Sequence, residues 1–287
     1  MRRSSRLNTG ALNALKTGIE RSIRNWRLWI AVYVFNLAFA AILTLPFAEI
    51  LARDISRSLV GRELLTGFNY RWFVDFVTIN GEFFRNLLPQ IIFLFAAYLI
   101  MEIFFAGGFY SSSCGKAEMK FGDFLAKGSI YFFPIFVVTA IECAVLFLLY
   151  LTFRYQLSVT TYQLSAMVLF VVTNLLSDFV RAAVVVDDDR FWRKVKRGLN
   201  FTVKHPISTV GVYLCCLSIS SLTVALYLAF HSINDSTTAA GVLAEIIVAQ
   251  IFILLRIFSK VIFYAGEAVL YKENQIEVIK VKLEMLE

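Results

Sequence analysis

IYFFPIFVVTAIECAVLFLLYL, residues 130–151, holds one charged residue, Glu142, in an otherwise apolar run with no charged neighbour. A helix needs about 20 such residues to cross ~30 Å of hydrocarbon. The stretch therefore reads as a membrane span, and five more runs match it: Leu28–Phe47, Leu87–Phe105, Val159–Val186, Ile207–Phe230 and Ala239–Leu270. A segment in lipid must satisfy its own backbone hydrogen bonds, so these runs predict helices. The expected fold is all-α: a polytopic membrane protein with six transmembrane helices arranged as three hairpins.

Composition agrees. Of the 287 residues, 59% are hydrophobic and 17% charged, against ~25% charged in a usual soluble domain. Too little chain lies between the runs for a separate soluble domain, so residues 1–287 read as a single membrane domain. The net charge of +7 is unevenly placed. Lys and Arg number nineteen in the segments 1–27, 111–129, 187–206 and 272–287, against six in the alternate connections. The positive-inside rule then predicts cytoplasmic N- and C-termini. The basic excess points to membrane lipids of an anionic inner leaflet as partners, and not to nucleic acid.

The segments before spans one, three and five share a plan. Leu12, Leu15, Ile19, Ile23 and Trp26 recur every three or four residues in the first; Phe191, Trp192, Val195, Leu199 and Val203 do so in the third. Basic residues take the opposite sides, as in cytoplasmic interfacial amphipathic helices. The middle copy, Met119–Lys127, is shorter. Gly18, Gly128 and Gly198 sit late in the three copies, and Asn25, Pro134 and Pro206 are expected to break each helix before its span. Hairpin repeats 1–115, 116–189 and 190–287 follow. The long outer loop, 48–86, holds Leu59, Leu64, Leu65, Trp72 and Phe76, and predicts one or two short helices.

Ionisable side chains within the spans are the candidate site, because intramembrane charges usually face a bundle interior. At ~100° per residue, Glu245, Arg256, Lys260 and Glu267 fall at about 0°, 20°, 60° and 40° on span six. Gln163, Asn174, Asp178 and Arg181 share a face of span four. Glu102, Asp178 and Glu267 against Arg181, Arg256 and Lys260 sum to zero, which predicts a neutral network in the cytoplasmic half. Glu142 lies ~18 Å into span three; it is either paired with Arg256 or protonated and hydrogen-bonded.

Catalytic patterns are missing. The two histidines, His205 and His231, fall on opposite sides of the membrane, and the cysteines are scattered or adjacent. No metal site, cofactor or nucleophile is expected. Asp187, Asp188 and Asp189 read as a helix-end cap balancing the basic stretch that follows.

The stretches LTGFNYRWFVDF (65–76), DFVR (178–181) with DDR (188–190), and GLNFTVKHPISTVGVY (198–213) resemble a family of bacterial six-span inner-membrane proteins. That family lies near the membrane domain of glycerophosphodiesterase-like proteins. The resemblance implies an inner-membrane location and six helices, and it lends no catalytic residues. A soluble phosphodiesterase domain is not expected in this chain, so hydrolase activity does not come with it. The leading reading is a non-enzymatic scaffold or partner subunit of a membrane complex. The alternative is a transporter or lipid-handling protein for a small charged solute, a proton or a lipid head group.

Overall fold

The computed structural model describes residues 2–56, 69–115, 117–154, 159–234 and 238–284. Among them run α1 (Arg2–Arg24), α2 (Trp26–Ser56), α3 (Tyr70–Ile79), α4 (Gly81–Cys114), α5 (Phe121–Arg154), α6 (Val159–Val186), α7 (Phe191–Lys204), α8 (Pro206–Ile233) and α9 (Ala239–Glu284), with no strand among the described residues. Six of them, α2, α4, α5, α6, α8 and α9, are long and apolar enough to cross a membrane. Each contains one of the apolar runs. Several overrun it by a turn or more, since a helix already satisfying its backbone has no reason to end where hydropathy falls.

One boundary differs from expectation. Pro134 lies inside the uninterrupted α5, so residues 121–127 are the first turns of a spanning helix and not a separate interfacial one. Pro46 and Pro89 also sit within helices. Breaking a helix inside hydrocarbon would strand several backbone groups, a larger loss than the one hydrogen bond a proline removes. Pro206 behaves as the sequence predicts, standing at the first position of α8, where no N–H is needed. Asn25 marks the break between α1 and α2, donating from its side chain to Arg21 O at 3.0 Å.

The chain forms two compact units. The first comprises Met1–Trp29, Ile103–Ser220 and Phe258–Glu287. Its helices meet through small residues. A Cβ on Gly18 would lie 2.9 Å from the backbone nitrogen of Gly266, so α1 and α9 touch backbone to backbone there. Gly198 sets α7 equally close to α6, and Gly128 sets α5 against Phe104 of α4. Lipid offers no hydrophobic drive between helices, and such close approach supplies the van der Waals contact instead. The buried faces of α1 and α7 are therefore Ala14–Gly18–Ser22 and Gly198–Thr202. Leu12, Ile23 and Trp26, with Trp192 and Val203, remain exposed.

Helix ends in this unit are closed by cations. Arg21 donates to Ser113 O, Lys272 to Cys114 O at 2.8 Å and Lys194 to Val184 O at 3.0 Å. Each meets a carbonyl that the last turn leaves without an intrahelical partner. Asp187 accepts from Tyr271 Oη at 2.8 Å, and Asp189 takes Arg197 at 2.9 Å and Arg193 at 3.3 Å. The aspartate run thus ties the end of α6 to α7 and α9.

The second unit comprises Ile30–Glu102 and Ser221–Ile257. Of the expected outer-loop helices, α3 is described, while Leu59, Leu64 and Leu65 lie outside the described residues. Asn69 caps α3 by accepting from Trp72 N at 3.1 Å. Phe76 is buried between Trp72, Phe47 and Phe84, with ring centroids 5.0, 6.0 and 5.7 Å away. Asn80 donates to Asp54 at 2.6 Å, fixing the turn between α3 and α4.

Candidate functional site

Four of the predicted site residues meet in the first unit. Arg181 on α6 is the centre. It donates to Asp178 one turn back at 2.6 Å, to Glu142 on α5, and to Thr139 Oγ1 at 3.3 Å. Spacing explains the first bond, since residues three apart on a helix are neighbours. The second crosses from α6 to α5. Glu142 is thus paired, as one of its two sequence alternatives required, but with Arg181 instead of Arg256.

Glu267 on α9 is 1% exposed and accepts from Tyr110 Oη at 2.8 Å. The same hydroxyl lies 3.4 Å from the backbone oxygen of Asp178, which joins α4, α6 and α9 at one point. Glu267 Oε1 and Arg181 Nε are buried without a hydrogen-bond partner among the described residues. Tyr110, fully buried, escaped the sequence reading: in the run GGFYSSSC it looks like an ordinary interfacial tyrosine. Thr139 was missed for the same reason, being one hydroxyl in an apolar stretch.

The remaining candidates stand elsewhere. Glu102 accepts from Tyr98 Oη at 2.7 Å, and Glu245 meets His231 Nδ1 at 2.6 Å, both within the second unit. Arg256 is exposed and has no ion-pair partner among the described residues. Lys260 is exposed, with its ammonium 5.9 Å from the Tyr264 ring centroid. The Glu142–Asp178–Arg181–Glu267 cluster holds three carboxyl groups and one guanidinium, so it is not the neutral set of six that the charge count predicted. Glu267 and Lys260 share an azimuth on α9, yet one is enclosed and the other open. A helical face says nothing of which neighbour covers it at each depth. For Gln163, the side chain lies outside the described residues.

Beside the cluster, α5, α6 and α7 enclose a groove of about 250 Å³. Val138, Val145, Val180, Val195 and Leu199 line it, with Thr173 at its far end, and Glu142 and Ser177 form its polar wall. Glu142 is 6% exposed there, held by Arg181 from behind. From the level of Val138 to that of Val145 the groove runs ~10 Å along the helices. Its walls suit a hydrocarbon chain. Its one carboxylate can accept a hydrogen bond from a hydroxyl or amine and repels an anion.

Comparison with protein-family models, curated proteins and solved structures finds no match for this chain. Fold and site together define its class: a multi-pass integral membrane protein with a buried charge cluster in its helical interior.

Proposed function

We propose that the protein is a non-enzymatic lipid-handling protein that takes an amphiphile into the groove between α5, α6 and α7. One observation carries this: a cleft of about 250 Å³, lined chiefly by apolar side chains and walled by a carboxylate that its own arginine fixes. Of the readings the sequence leaves open, a scaffold on one side and a transporter or lipid-handling protein on the other, the groove favours lipid handling. The chain's basic asymmetry supports both termini and α7 on the cytoplasmic side, and the motif resemblance supports a bacterial inner membrane. Kinship with the six-span family that its motifs resemble is part of the same proposal.

The test is retention of lipid by the full chain, extracted from membranes into nanodiscs and analysed by native mass spectrometry. Val145→Trp and Thr173→Leu fill the groove from partly exposed positions, so the helices still assemble. Wild type is expected to hold a lipid that survives delipidation, and the filled variants to lose it. Equal retention in all three would overturn the reading.

A further inference from the structure

We infer that the groove's occupant is an anionic glycerophospholipid, one acyl chain lying between α5 and α6 and its phosphate held at Lys196 of α7. The inference rests on the lipid-handling reading and names its ligand class.

The argument begins with α7, whose Val195 and Leu199 form one wall of the groove. At ~100° per residue, Trp192 stands about 60° and Lys196 about 100° round the helix from Val195. Both are exposed. The groove's edge on α7 is thus followed by an indole and then an ammonium, the order in which the apolar–polar boundary of a membrane places them.

The other cations on α7's middle turns are already engaged. Arg193 and Arg197 bind Asp189, Arg197 also reaches Asp187 at 3.5 Å, and Lys194 caps α6. Lys196 has no ion-pair partner among the described residues. An ammonium at the rim of an apolar groove complements a phosphate whose chain descends into it.

Glu142 sets the polarity. Its carboxylate faces the groove one turn below Val138, so an anionic head group entering that deep meets a like charge. A phosphate is therefore kept at the α7 level, and only uncharged chain passes Glu142. A free fatty acid lying head-down is disfavoured by the same group.

The experiment offers the full chain in nanodiscs equal amounts of dioleoyl phosphatidylglycerol and dioleoyl phosphatidylcholine, and reads the bound ratio by native mass spectrometry. Wild type is expected to prefer the anionic lipid about fivefold, the contribution of one basic residue at an anionic surface. Lys196→Arg keeps that preference. Lys196→Glu brings the ratio to about one or below while a lipid is still bound. Retention that Val145→Trp abolishes, yet with no anionic preference in wild type or none lost in Lys196→Glu, overturns the inference and leaves the groove reading standing. No Val145→Trp-sensitive retention of either lipid overturns both.

Discussion

Replacing Arg181 by methionine keeps a side chain of similar length and removes the guanidinium on which Glu142 and Asp178 converge. Both carboxylates are then left in the protein interior with no cation in place, since the 2.6 Å bond to Asp178 and the bond to Glu142 come from the same residue. Removing one partner of a buried pair costs about 3–5 kcal/mol, because the orphaned charge stays desolvated. One arginine serving two acids puts Arg181→Met near the top of that range, ~5 kcal/mol. At about 2–4 °C per kcal/mol, the melting temperature falls by roughly 10–20 °C. Glu142→Gln leaves the Asp178–Arg181 bond intact and should cost less, about 1–3 kcal/mol. The double variant Arg181→Met/Glu142→Gln should lose less than the sum, since removing the acid relieves the charge that the first substitution exposes. Tryptophan-fluorescence melting in one detergent, with all variants at equal lipid content, measures each. If Arg181→Met melts within about 2 °C of wild type, or the double variant is strictly additive, the cluster is not coupled and the reasoning fails.

Tyr110→Phe removes the donor to Glu267 Oε2, leaving the carboxyl with neither oxygen satisfied among the described residues; a loss of about 1–3 kcal/mol is expected in the same assay. For Gly198→Ala, the new Cβ would stand 2.8 Å from Val180 Cα and 3.0 Å from Phe179 O, both backbone. The overpacking cost of about 1–3 kcal/mol should outweigh the ~1 kcal/mol helix-propensity gain. Gly122→Ala, where a Cβ meets nothing within 4 Å, should show the gain alone. The Asp189 carboxyl is held below its ordinary value, chiefly by the backbone N–H of Arg190, with Arg193 and Arg197 adding to it against partial desolvation. A folded-state value below the unfolded one stabilises above the unfolded value, ~3.9, and that contribution is lost as pH falls through the folded one. Limited proteolysis between α6 and α7 should accelerate below about pH 4 in wild type and lack that acid step in Asp189→Asn.

Parts of the molecule are legible in the sequence alone, for identifiable reasons. The six spans are, because hydropathy is a sum over local sequence and every spanning backbone must be helical. The Pro206 break is, and the Pro134 break is not: identical residues act differently at a helix's first turn and deep inside a helix that lipid forbids to open. The amphipathic stripes of α1 and α7 mark real helices, but do not show that Gly18 and Gly198 are where those helices dock. The glycines dock backbone to backbone, Leu15, Ile19, Phe191 and Val195 are half-buried beside them, and Leu12, Ile23, Trp26, Trp192 and Val203 stay exposed, because only a residue without a side chain lets two helices approach that closely. The basic residues counted for orientation also include Arg21, Lys194 and Lys272, which close helix ends.

The sequence by itself determined that this chain crosses a membrane with six helices, and which ionisable groups lie within them. Only the tertiary structure decided that Arg181 answers Glu142, that Tyr110 answers Glu267, that Arg256 and Lys260 stand outside, and that a groove opens beside Glu142. Spacing along a helix assigns each side chain an azimuth, whereas partners come from other helices. Which helix covers which face at a given depth is set by small-residue contacts between elements far apart in the chain.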